Sequence, residues 1–68
     1  MLLPHGLQVL VVESQSSMRA QLRNMLASIG VDAPQFAVSA SMAMRRLRAQ
    51  TYDLILSEYD LGEGQDGQ

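Results

Sequence analysis

Leu7-Gln8-Val9-Leu10-Val11-Val12 is almost continuously apolar and rich in β-branched residues. Such a run predicts a strand buried on both faces, as in a parallel sheet covered by helices. Beyond Glu13 the spacing changes. Met18, Leu22, Met25, Leu26 and Ile29 recur at helical steps and form one stripe, with Arg19, Arg23 and Asn24 off it. Ser14, Gln15, Ser16 and Ser17 supply N-cap candidates, and Gly30 is a natural residue to close the helix. The pattern predicts a helix over about Ser16 to Ser28.

Val31 to Pro34 reads as a loop. Gln35 to Val38 is short and alternating, which suits an edge strand. Ser39 or Ser41 can cap a second helix, whose apolar face is expected to be Ala40, Ala43, Met44 and Leu47. Arg45, Arg46 and Arg48 are expected to point outward. Gln50 and Thr51 form its exit. Asp53-Leu54-Ile55-Leu56-Ser57-Glu58 then reads as another buried strand. It is followed by a loop with three glycines and three acids up to Gly67. Before all this, Met1 to Gly6 reads as a leader broken by Pro4 and Gly6.

The order strand, helix, strand, helix, strand predicts an α/β fold with a parallel sheet, because such crossovers are right-handed. Ligands in open α/β sheets bind beyond the carboxyl ends of the strands. Glu13 closes the first strand and Glu58 the third, so both carboxylates are expected at the same edge. There they could share a hard cation such as Mg2+ or repel one another. The bland reading is that both are solvated strand-end acids.

Composition narrows the function classes. Apolar residues make up 47% of 68 residues, which is globular composition. A domain this small buries only about 60% of its unfolded surface. It has no cysteine to reinforce it. The net charge is −2, all five basic residues are arginines, and no base follows Arg48. Nucleic acid is therefore not an expected partner, since phosphate contacts need a basic face. No apolar run is long enough to span a bilayer and no secretory signal is visible, so no membrane is expected and the default location is the cytoplasm.

The segments Leu10 to Arg19, Ala37 to Leu47 and Tyr52 to Glu58, followed by Asp66-Gly67, together resemble the receiver domain of bacterial two-component response regulators. The resemblance covers nearly the whole chain from Leu7 onward, 7–68. It implies a flavodoxin-like sheet of three strands in the order 2-1-3 with two helices, incomplete relative to the family. In the family, the first strand ends in a pair of acids that help bind Mg2+; here they become Glu13 and Ser14. The aspartate that receives a phosphoryl group becomes Glu58. The residue whose backbone carbonyl helps hold the metal becomes Asp60.

These departures have physical weight. Glutamate carries its carboxylate one methylene further out than aspartate, and in-line phosphoryl transfer depends on positioning at the level of ~1 Å. Ser14 removes a charged ligand, so Mg2+ is expected to bind weakly and no cofactor is expected. The family also uses a hydroxyl and a lysine from later strands, and this sequence has no lysine. The resemblance therefore implies a non-enzymatic, phosphorylation-independent module that contacts a sensor kinase or an output protein. Two alternatives stay open: a phosphorylatable, Mg2+-dependent receiver using Glu58, and a structural dimerisation unit of a larger regulator. The third strand is expected to leave Leu54 and Leu56 partly uncovered. The chain is then either a fragment of a longer protein or self-associates through that strand.

Weaker patterns add little. Glu58-x-Asp60-x-Gly62 loosely matches a calcium loop but lacks its glycine at the sixth position. Gly62-x-Gly64-x-x-Gly67 has dinucleotide-fingerprint spacing, with acids inside it and no helix after it. His5 stands alone in the leader.

Overall fold

The computed structural model describes residues 6–57. Its elements are β1 (Val9–Val12), α1 (Ser16–Ser28), β2 (Gln35–Ala37), α2 (Ala40–Ala49) and β3 (Leu54–Ser57). The three strands form one parallel sheet in the order β2-β1-β3. This is the α/β sheet of order 2-1-3 that the sequence leads one to expect.

Each helix covers one face of the sheet. Odd-numbered residues of β1 point to one side, where Val9 and Val11 pack with Leu26, Leu22 and Ile29 of the α1 segment. Even-numbered residues point to the other, where Leu10 and Val12 pack with Ala43, Met42 and Leu47. The four residues of β1 are thus buried on both faces, with exposures of 0–2%. That placement explains why its sequence shows no polar alternation.

The ends of α1 follow from local chemistry. Gly30 adopts φ +100°, a left-handed conformation that favours glycine. Its N–H donates to Ala27 O, and Val31 N–H reaches back to Leu26 O at 2.9 Å. Val31 and Leu26 then bury together in the core, which completes a Schellman closure. At the other end the N-cap is Gln15, not one of the serines, and it makes no side-chain capping bond. In α2 the cap is Ser39, whose Oγ accepts the Met42 N–H at 3.2 Å.

Three expectations are corrected. The face of α2 is turned by about one position. Ala40 and Met44 are exposed, and the inward stripe is Met42, Ala43, Arg46 and Leu47. Arg46 consequently does not point fully outward. It is half-buried and donates from Nη1 to Gln35 Oε1 at 3.3 Å. In α1, Met25 is 58% exposed although it belongs to the helical stripe.

The third correction concerns β3. It is not the buried strand its apolar run suggests: Ile55 is 41% exposed, while Leu54, 37% exposed, and half-buried Leu56 are partly uncovered as expected. The cause is where the helices sit. α2 packs on β2 and β1. On the opposite face, Arg23 of α1 lies over the Phe36 ring of β2, 5.0 Å from its centroid. α2 therefore serves β2 and β1, and on the α1 face β3 adds only Leu56 to the core, which leaves β3 at the margin.

Candidate functional site at the carboxyl ends of the strands

Parallel pairing sets Val12 beside Ser57, so β1 and β3 end together. Glu13 follows β1 directly, and its N–H donates to Ala37 O at 2.9 Å. This bond extends the β1–β2 ladder by one residue and draws the Glu13 side chain into the interior. Glu13 is 4% exposed, the one buried charged residue among those described. It is not a solvated strand-end acid.

Its two carboxylate oxygens differ. Oε2 accepts the Gln15 N–H at 3.1 Å. Oε1 is buried with no hydrogen-bond partner among the described residues. An uncompensated buried carboxylate oxygen is costly, on the order of several kcal/mol, so its retention calls for a reason. Arg19, whose guanidinium reaches this turn, does not answer it: Nη1 donates instead to the backbone carbonyls of Glu13 and Ser14, at 3.0 and 2.9 Å.

Arg19 is thus a positioning residue that the helical pattern alone left on the surface. It stands one turn into α1 and clamps the turn that links β1 to the helix. Five donors in a planar fork suit it to hold two carbonyls at once. Only its distance from Glu13, six residues further on across a strand-to-helix turn, could have indicated this.

Ser14 is exposed. Its carbonyl is engaged by Arg19. Glu58 and Asp60 lie outside the described residues, as does His5. Glu58 follows Ser57 immediately in the chain. Among the described residues no three His, Cys, Asp or Glu side chains come together as a metal site.

Next to Glu13, on the α1 face, lies an open apolar cavity of about 340 Å³. Met18, Leu22 and Met25 of α1 form one wall; Leu56 and Ser57 of β3 form the other. It lies between the α1 methionines and the end of β3.

No described helix is long and apolar enough to cross a membrane. Comparison of the chain with family models, curated proteins and solved structures gave no match.

Proposed function

We propose that this chain is a receiver-like signal-transduction module of the cytoplasm that acts through protein–protein contacts, independently of phosphorylation. The partner is a sensor kinase or an output protein. The observation that carries this reading is the buried Glu13 at the end of the central strand of a parallel sheet ordered 2-1-3. It stands at the strand edge where such sheets bind their ligands. It also occupies the place of the first of the family's two acids.

Two features favour independence from phosphate. The second acid is Ser14, an exposed neutral hydroxyl. The phospho-acceptor position holds Glu58, whose charge stands further from the backbone than an aspartate's. Mg2+ takes a near-octahedral shell of oxygens, usually with one or two carboxylates. Of the acids that the resemblance points to, the described residues include Glu13 alone, and Glu58 and Asp60 lie outside them.

Oε1 of Glu13, which has no partner among the described residues, favours a second reading, in which the site still takes Mg2+ and Glu58 accepts phosphate. Incubation with Mg2+ and acetyl phosphate, followed by intact-mass measurement, separates the two. The expected result is an unmodified mass. A stable phosphate adduct on Glu58 overturns the phosphorylation-independent reading. Glu58→Gln is expected to weaken partner binding; unchanged binding and output would leave only a structural role.

A further inference from the structure

The described part of the sheet has two margins, and they are built differently. β2 is three residues long and is preceded by Pro34, which has no N–H to offer. Phe36 lies beneath Arg23, and the Gln35 side chain accepts from both Tyr52 Oη and Arg46 Nη1. These are devices that blunt a sheet edge. Among the described residues β3 has none of them. Leu54–Ser57 contains no charge and no proline, and its side chains stand out on both faces.

We propose that β3 is a self-pairing edge: a second copy of this chain adds its own β3 antiparallel to the first, joining two three-stranded sheets into one. The proposal does not depend on the receiver-like reading. Leu54 N–H points to Gln8 O on the β1 side, so the alternation of the ladder turns the N–H and C=O of Ile55 outward. A twofold axis perpendicular to the sheet at Ile55 sets Ile55 against its own copy. Leu54 then lies opposite the second copy's Leu56, and the reverse. Every one of these pairs is aliphatic, and no like charges meet. A strand that is its own complement in this way satisfies the symmetry of an isologous dimer.

Strand pairing over four residues is too small for a specific interface, which needs roughly 1,000 Å² in total. The cavity beside α1 supplies the rest. Leu54 and Leu56 share the α1 side of the sheet with Val9 and Val11. Strands lie about 4.8 Å apart, so pairing sets the two β1 strands roughly 14 Å apart. The two α1 helices then flank one trench floored by leucines of both copies. Met18 and Met25, long and flexible, can reach across such a gap where a shorter side chain could not. That gives the 58% exposed Met25 an apolar neighbourhood.

The test is sedimentation equilibrium of the full chain over a wide concentration range, with Ile55→Arg and, separately, Met25→Arg. The wild-type chain is expected to dimerise. Arginine at Ile55 sets two positive charges against each other at the twofold axis and is expected to weaken association roughly tenfold or more. Val38→Arg, at an exposed residue beyond β2, is expected to leave it unchanged. Far-UV circular dichroism establishes that each variant is folded. Amide exchange on the wild-type chain gives a reading free of mutation, since protection at Ile55 must rise with concentration. A chain monomeric throughout overturns the proposal. So does association that survives both arginines, or Ile55 protection that is independent of concentration, as a strand from elsewhere would produce.

Discussion

Leu10 in β1 and Ile55 in β3 are paired in register, and both are branched aliphatics on the same side of the sheet. Leu10 is 0% exposed and Ile55 is 41% exposed. The two strands have nearly the same composition, Val-Leu-Val-Val against Leu-Ile-Leu-Ser. Their environments differ because β1 has a strand on each side and a helix on each face, while among the described residues β3 has β1 on one side only and sends just Leu56 into the core beneath α1. An apolar run specifies that a strand is to be buried; the neighbouring elements decide how far that happens.

The largest test of this contrast is a matched pair of truncations. Leu10→Ala removes a side chain packed on all sides, and such changes cost about 2–5 kcal/mol. At ~0.05–0.15 kcal/mol per residue, a chain this size has only about 3–10 kcal/mol in total. Leu10→Ala is therefore expected to leave much of the protein unfolded in water. Ile55→Ala, measured where the chain is monomeric, is expected to cost about 0.5 kcal/mol, as at a surface position. Urea unfolding followed by circular dichroism compares them. Equal losses would mean that β3 is as well covered in solution as β1.

A smaller effect tests what holds β3 in place at all. Its anchorage is concentrated at its entry. Asp53 Oδ2 accepts the Gln8 N–H at 2.8 Å, and the Asp53 N–H returns a bond to Gln8 O at 2.8 Å. Just before them, Tyr52 Oη donates to Gln35 Oε1 at 2.8 Å. Asp53→Ala deletes the side-chain half of this clasp and is expected to cost about 1 kcal/mol. Exchange of the Gln8 amide should accelerate more than that of any residue in β1. If β1 and β3 loosen together, the two strands form one cooperative unit and the contrast between them is only one of exposure.

Much of this arrangement is legible in the residues. The unbroken Leu7 to Val12 run marks a central strand, and Gly30 marks the close of α1, because one pattern carries the burial and one residue type carries the turn. The alternation of strands and helices points to a parallel sheet, but the order β2-β1-β3 is not encoded in any local pattern. The face of α2 is harder. Met42 and Met44 flank Ala43 and are equally apolar, so a ten-residue helix fits two stripes that differ by a small rotation. Docking on β2 selects the stripe containing Met42, and Arg46 falls on it as a consequence. Its long stem can lie along apolar surface while its head finds Gln35. Periodicity alone sees a charge there and turns it outward.

The candidate site divides in the same way. That Glu13 closes a buried strand can be read from the sequence. That its carboxylate is itself buried depends on the extra ladder bond to Ala37 O, which no local pattern encodes. Arg19 escapes a helical-face reading because its partners are backbone carbonyls of the preceding turn. Glu58 and Asp60 lie outside the described residues, so their part in the site rests on sequence alone.

The smallest expected effect bears on the ends of the two strands. β3 closes on Ser57, and β1 on a carboxylate with one oxygen unpartnered among the described residues. Glu13→Gln keeps an acceptor for the Gln15 N–H and removes the buried charge. The amide introduces donors of its own, but a neutral group without a partner is less costly to bury than an ionised one. Stability is therefore expected to stay level or to rise by about 0.5 kcal/mol in urea unfolding, a small gain of the kind found when a residue is kept for function. A loss above about 1 kcal/mol would show that the fold itself uses the charge. An unchanged or firmer fold with weaker partner binding would make the buried end of β1 the part of this sheet that is kept for recognition.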